Sequence, residues 1–126
     1  MNRAAIIFCL MLVLWPQCAY AGHLQSEAEY QDEWCELKDG EVEFILPDRT
    51  RCDCLTLTHA VEMDFARKWA EALGQSLHYA ANTGRRAGIV LIIEKPGEIK
   101  YLQRLEAVIG HYGLPIDVWG FGPGIE

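Results

Sequence analysis

The sequence has no excess of positive charge: its 126 residues include 11 Lys and Arg against 18 Asp and Glu, a formal net charge of −7. Nonspecific nucleic-acid binders usually carry a strong basic excess, so contact with a polyanion would depend on local basic groups or bound metal. The chain also lacks a P-loop, a G-x-S-x-G elbow and a dinucleotide-binding fingerprint. With 51% hydrophobic and 23% charged residues, it predicts one globular domain rather than a disordered chain.

No apolar run reaches the ~20 residues that a membrane-spanning helix needs. The longest, residues 4–15, follows a single positive charge and is closed by a proline and small residues up to Ala21. This layout predicts a secretory signal peptide over residues 1–21, a mature domain over 22–126 and a periplasmic or secreted location with no membrane span after cleavage. An uncleaved anchor and a lipoprotein modified at Cys18 are the alternatives.

Three cysteines follow the predicted cleavage point, in a compartment that permits disulfides. Cys52 and Cys54 stand two apart in a strand-like stretch and are expected to share a face, which is poor geometry for a bond between them. Cys35 with Cys52 or Cys54 is the better pair, and Cys35–Cys54 is the candidate disulfide. Three buried free thiols, or a zinc site of the three thiols with His59, are the alternatives.

The hydrophobic periodicity changes along the chain between that of strands and that of helices. A Ser-x-x-Glu capping box opens the first helix, alternating residues mark three strands, and a continuously apolar run marks a buried fourth. The predicted helices cover residues 27–36, 66–81 and 98–112, and the predicted strands cover 41–46, 51–57, 60–65, 88–93 and 115–119.

The predicted order of elements is therefore α-β-β-β-α-β-α-β. An antiparallel start followed by strand–helix–strand–helix–strand indicates an α/β fold with a mixed central sheet and helices on both faces. The core is expected over residues 26–119, with a loose glycine-rich tail over 120–126.

Acidic residues on two neighbouring strands are the candidates for chemistry. Asp53 lies in the second predicted strand, and Glu62 and Asp64 project from one face of the third. Buried carboxylates repel one another, and a divalent cation such as Mg²⁺ or Mn²⁺ is one way to offset that repulsion. Lys68 lies four residues after Asp64, and Gln75 faces the same way two helical turns later. The alternative is that these charges face solvent or pair with the arginines at positions 51, 67 and 85.

The residues Asp53…Glu62-x-Asp64…Lys68…Gln75, together with the element order, resemble the PD-(D/E)XK nuclease-like superfamily. The resemblance covers about residues 26–119. It implies a restriction-endonuclease-like core whose metal ligands are an Asp on the second strand and an acid on the third. In this sequence Asp53 and Glu62 match those two positions.

Other matches to that family are less regular. The position of its motif lysine holds Asp64, which would be a further metal ligand or an outer acceptor, and Lys68 would replace the lysine from the helix. Gln75 would match a polar group of the long helix. The resemblance also implies a glutamate from the first helix, for which Glu29 is preferred over the glutamates at positions 33 and 36.

These matches imply an exported, Mg²⁺- or Mn²⁺-dependent phosphodiester hydrolase that acts on nucleic acid. Its site would comprise Asp53, Glu62, Asp64, Lys68 and Gln75, with no small-molecule cofactor. Arg85 and Arg86, in a turn, are the best local basic pair for a nucleic-acid backbone. The alternatives are a catalytically inactive nuclease-like fold that serves as a binding or accessory module in the cell envelope, and an unrelated secreted α/β domain. The oligomeric state stays open.

Overall fold

The computed structural model describes residues 22–125. The predicted signal peptide, residues 1–21, lies outside that range, as does Glu126. Within the described range, no helix combines the length and the apolar character needed to cross a membrane.

The described chain is an α/β fold, as predicted, with three helices and five strands. The helices are α1 (Glu27–Leu37), α2 (Trp69–Thr83) and α3 (Ile99–Tyr112), and short 3-10 turns precede α2 (Ala66–Lys68) and α3 (Pro96–Glu98). The strands are β1 (Glu41–Ile45), β2 (Arg51–Leu55), β3 (His59–Phe65), β4 (Arg86–Ile92) and β5 (Ile116–Phe121).

The five strands form one mixed sheet in the order β1-β2-β3-β4-β5. The pairs β1–β2 and β2–β3 are antiparallel, whereas β3–β4 and β4–β5 are parallel. Short turns suffice for antiparallel neighbours, but a parallel connection needs a crossover, and α2 and α3 supply the two crossovers here.

Helices cover both faces of the sheet, and β4 shows this most directly. Val90 and Ile92 pack in a cluster with Tyr30 and Trp34 of α1, while Ile89 and Leu91 pack with α2 and α3 on the other side. The continuously apolar sequence of β4 is therefore explained by burial on both faces.

The predicted disulfide is confirmed as Cys35–Cys54, with Cα atoms 5.8 Å apart. It joins the end of α1 to β2, which removes the predictions of three free thiols and of a zinc site. The expectation that Cys52 and Cys54 share a face is wrong. Cys54 packs in the cluster beside α1, whereas Cys52 is a buried free thiol in a cluster with Tyr79 of α2.

The local backbone accounts for the separation of these two cysteines. The register places Glu43 between the partners of Cys54 and Cys52, opposite Asp53, and Glu43 has a φ of 54°, in the left-handed region. A regular strand would keep alternate side chains on one face. The irregular pairing at this point turns the side chain of Cys52 toward α2.

The described part of the C-terminal tail, residues 120–125, is packed rather than loose. Residues 120–121 belong to β5, and the Gly124 N–H donates to the Ile93 carbonyl at 2.8 Å. A Cβ at Gly124 would lie 2.5 Å from the Lys95 nitrogen, so only glycine allows this approach. The glycines that suggested looseness are what let the tail lie against the end of β4.

Candidate functional site

The predicted acidic residues gather where β2 and β3 separate. The ladder between these strands pairs Cys54 with Val61 and Leu55 with Ala60. Beyond these pairs, the Met63 N–H donates to Asp53 Oδ2 at 2.8 Å, so a carboxylate occupies the place of a backbone acceptor. The fork between the strands thus carries Asp53 next to the acids of β3.

Glu62 and Asp64 lie on the side of β3 that faces α2. Their neighbours Val61 and Met63 pack in the cluster beside α1, so alternation turns the two carboxyl groups the other way. Each acid is only 4% exposed, and acidic residues are rarely buried to this extent. The spacing Glu62-x-Asp64 therefore places two carboxyl groups together inside the protein, as the sequence predicted.

Burial and mutual repulsion keep these acids from ionising at their ordinary pKa values. Burial, and next the charge of Asp53, raises the pKa of Glu62 to about 10, although contact with Tyr79 opposes the shift. Burial also raises the pKa of Asp53, against the hydrogen bond from Met63. The fork therefore holds protons that an exposed pair of acids would have lost at neutral pH.

The pKa of Asp64 depends on charges of both signs, because an acid and an amine both lie next to it. Burial and next the charge of Glu27 raise the pKa of Asp64 to about 7, while the positive charge of Lys68 pulls it down. The Lys68 Nζ lies 3.6 Å from Asp64 Oδ1, and its side chain is 55% exposed against 6% for that of Asp64. In turn, the carboxylate of Asp64 raises the pKa of Lys68. The amine therefore stays charged while it reaches from solvent to the buried acid.

Two carboxyl oxygens at this fork have no hydrogen-bond partner: Glu62 Oε2 and Asp64 Oδ1 are both buried and unsatisfied. Lys68 lies beyond hydrogen-bond distance from the second of them. Leaving a buried polar atom without a partner is costly, and most such atoms in proteins are satisfied. The side chains that do meet these two acids are other carboxyl groups, Asp53 beside Glu62 and Glu27 beside Asp64, and each such contact needs a shared proton or a cation.

The helix acid at this site is Glu27, not Glu29. Glu29 is exposed and completes the capping box, accepting from the Ser26 backbone N–H at 2.7 Å and from its hydroxyl at 2.8 Å. Glu27 interacts with Asp64, and burial and next the charge of Asp53 raise its pKa. The sequence carried this signal: the cap that begins at Ser26 already employs Glu29, which leaves Glu27 as the free acid of the first turn.

The remaining predicted residues do not join the fork. Gln75 is exposed on α2. Arg85 donates to the Thr56 carbonyl, and Arg86 forms two hydrogen bonds with Asp117, from Nε at 2.8 Å and from Nη2 at 3.1 Å. Arg86 is the register partner of His59, five residues before Asp64 along β3, which is roughly 16 Å at the rise of a strand.

The four acids of the fork raise one another's pKa values: the charge of Asp53 acts on Glu27 as well as on Glu62, and the charge of Asp64 acts on Glu62. The charge of Glu27 acts in turn on Asp64. Among residues 22–125, no three His, Cys, Asp or Glu side chains form a group that could hold a metal ion as they lie. The donor atoms themselves are suitable ligands for a hard cation, because they are carboxylate oxygens. Two of them accept no other hydrogen bond.

Comparison with protein-family models, with curated proteins and with solved structures finds no match for this chain. The fork between β2 and β3, with its buried acids and its lysine, is the feature of the described residues that has the chemistry of a functional site.

Proposed function

We propose that this protein is a metal-dependent phosphodiester hydrolase that acts on nucleic acid. The observation that carries the proposal is the pair of buried, unsatisfied carboxyl oxygens of Glu62 and Asp64 beside the cation of Lys68. A buried acidic cluster with perturbed pKa values is typical of a functional site, because such repulsion destabilises a fold and needs a reason to persist.

We propose further that the chain has a restriction-endonuclease-like core of the PD-(D/E)XK kind. Support comes from the order α1-β1-β2-β3-α2-β4-α3-β5 and from the change from antiparallel to parallel pairing at β3. Asp53 on β2 and Glu62 on β3 take the positions of that family's two acids, and Glu27 takes that of the helix acid. The disulfide also fits the proposed export to an oxidising periplasmic or extracellular space.

Asp53, Glu62 and Asp64 would hold the Mg²⁺ or Mn²⁺ ion in this proposal. When bound, the ion would supply charge for the phosphate and lower the pKa of a bound water. Glu62 keeps its proton at neutral pH, so it must release that proton before its carboxyl group can bind the ion. Metal binding should therefore release protons and strengthen with rising pH.

Lys68 would provide the fixed positive charge beside the reacting phosphate. Its partial exposure lets the amine meet a substrate that arrives from solvent while it stays in its ion pair with Asp64. A cation placed where negative charge develops stabilises the transition state. Lys68 thus replaces the motif lysine, whose position is taken by Asp64. The role of Gln75 in orienting the lysine or a water stays a prediction.

The test is a digestion assay on single-stranded DNA, duplex DNA and RNA, with EDTA, Mg²⁺ or Mn²⁺. Cleavage should require the metal, and Lys68→Met should slow it on the order of 10²-fold, the usual cost of removing one transition-state contact. Asp53→Asn should abolish cleavage. Glu106→Gln, which changes an exposed acid of α3, is the matched control and should cleave like the wild type. Full cleavage by Asp53→Asn would refute this site.

A catalytically inactive binding or accessory module is the second candidate. It is favoured by the acids as they lie, because among the described residues no three of them form a ready ligand group for a metal ion. Calorimetry distinguishes the two candidates when it is run beside the digestion assay. Metal binding with cleavage supports the hydrolase, and metal binding without cleavage supports the inactive module. If the protein neither binds metal nor cleaves, the acidic fork has no role in metal binding.

A further inference from the structure

A second concave site lies at the opposite end of the sheet from the acidic fork. Its cavity measures about 250 Å³, slightly below the ~300 Å³ at which pockets for drug-sized ligands begin. It therefore suits one planar ring rather than a larger molecule. The residues around it come from α1 and its C-cap, from the β2–β3 turn, from the start of β3 and from β5: Trp34, Lys38, Leu57, Thr58, His59 and Trp119.

Two indole rings line the floor of this cavity, of which Trp34 is buried in the core and Trp119 is the more exposed. Trp34 and Trp119 lie with ring centroids 5.5 Å apart and planes tilted by 50°. Trp119 rests on β4 at Gly88, where an added Cβ would come within 2.9 Å of the ring atom Cζ3. The missing side chain at Gly88 thus makes room for the indole, and Trp119 remains only partly buried.

The wall beside Trp119 is held by a chain of polar contacts. The His59 ring meets Trp119 edge to face, with centroids 5.1 Å apart, and its Nε2 lies 2.7 Å from Asp117 Oδ2. Arg86 donates to the same carboxylate, and its hydrogen bonds, followed by those of His59, lower the pKa of Asp117 to about 2. The carboxylate therefore stays charged and fixes the orientation of His59.

The rim carries exposed apolar surface together with a cation. Leu57 is 89% exposed in the β2–β3 turn, although it borders the cavity. The Lys38 Nζ lies 5.7 Å from the centroid of the Trp34 ring. Arg86 binds Asp117 through Nε and Nη2, so its Nη1 is not part of that pair. Lys38 thus brings a positive charge to the cavity itself, whereas Arg86 lies behind its wall, in an ion pair with the Asp117 carboxylate that also holds His59.

We propose that this cavity stacks one unpaired nucleobase of a single-stranded nucleic acid, with Lys38 next to a flanking phosphate. Indole faces beside cations are the usual means of binding single strands without sequence preference. An aromatic side chain of a peptide would fill the same floor but would leave Lys38 without a phosphate to meet. The proposal rests on the proposed function, which supplies nucleic acid as the substrate.

The cavity and the acidic fork differ in the side of the sheet as well as in its end. Trp34 and Trp119 pack on the side of α1, whereas Glu62 and Asp64 lie on the side of α2. Base binding at Trp119 is therefore measured separately from metal binding at the acids.

The experiment measures binding in EDTA, so that cleavage plays no part. The probes are a 12-nucleotide single strand of thymidylates and the same strand with abasic sugars, followed by quenching of tryptophan emission and by anisotropy of an end label. The thymidylate strand should bind more tightly and quench the emission. Trp119→Leu should weaken it at least about 5-fold, the lower limit for loss of one base–aromatic stack.

Exposed positions keep the test independent of folding. Leu57→Asp adds a negative charge at the rim and should also weaken binding at least about 5-fold, while Ile45→Asp, at another exposed apolar position on β1, should not. Equal binding of both strands, an unaffected Leu57→Asp variant, or preference for N-acetyltryptophanamide over the thymidylates would overturn the proposal. Base-dependent binding without metal-dependent cleavage would remove the hydrolase and keep this pocket, and the reverse pattern would remove the pocket alone.

Discussion

Replacing Glu62 with glutamine should stabilise the protein in the absence of metal. Glutamine has almost the same shape as glutamic acid but never ionises. In the folded state, burial and the charge of Asp53 raise the pKa of Glu62 from 4.5 to about 10, so the group is protonated at pH 7. In the unfolded chain the same group is ionised, so the wild type must take up a proton to fold.

The size of the gain follows from that proton. The interval of about 2.5 between the unfolded pKa and pH 7, at about 1.36 kcal/mol per pH unit, corresponds to about 3 kcal/mol. This figure does not depend on the exact folded pKa, provided that it lies above 7. Because a raised folded pKa contributes stability that is complete below the unfolded value and declines above it, the gain should vanish near pH 4.5.

Denaturant unfolding in EDTA at several pH values from 4 to 8 measures this gain. Glu62→Gln should exceed the wild type by about 3 kcal/mol at pH 7, on the order of 10 °C in Tm, and should match it near pH 4.5. The control Glu106→Gln should stay within about 0.5 kcal/mol of the wild type throughout. A gain that is constant with pH would place its origin in packing, and a loss at pH 7 would mean that Glu62 is ionised and paired, contrary to the reasoning.

Three further outcomes are expected. The unfolding free energy of the wild type in EDTA should fall between pH 5 and pH 8, because the folded pKa values of Asp53, Glu62 and Asp64 are all raised. Mg²⁺ or Mn²⁺ should restore it at pH 8. An unfolding free energy that does not change with pH in denaturant titrations would contradict this. Replacing both Cys35 and Cys54 with serine should cost about 3 kcal/mol, given their separation of 19 residues, and dithiothreitol should lower the Tm of the wild type but not that of the double variant. Gly124→Ala should cost about 1–3 kcal/mol of unfolding free energy, because its Cβ meets the Lys95 backbone. Gly74→Ala in α2, whose Cβ would meet nothing within 4 Å, should stabilise the protein by up to about 1 kcal/mol. Equal Tm values for the two variants would refute the steric argument.

The local sequence pattern was sufficient to predict the helices and strands and the position of part of the acidic fork. Alternation in β3 predicted that Glu62 and Asp64 share a face, and the continuous apolar run predicted that β4 is buried on both faces. Both patterns depend on the two-residue period of a strand, which tertiary contacts rarely change. The half-site on β3 could therefore be predicted from spacing alone.

The parts that sequence reasoning missed depend on contacts between elements. The break in alternation between Cys52 and Cys54 arises from the irregular pairing of Asp53 with Glu43 in the neighbouring strand. The packing of Gly124 depends on the backbone at Ile93 and Lys95, about 30 residues away. No local propensity encodes either contact, because each is a property of two segments that are distant in sequence.

The first helix connects the two proposed sites. Glu27 in its first turn acts on Asp64 at the acidic fork, while Trp34 and Lys38, at its other end, border the aromatic cavity. The 11 residues of α1 span about 16 Å, which matches the distance along β3 between the two sites. Because the disulfide at Cys35 fixes this helix to β2 next to Asp53, one covalent bond holds both sites in register. Loss of the bond should therefore weaken metal binding and base binding together, even under conditions where the chain stays folded.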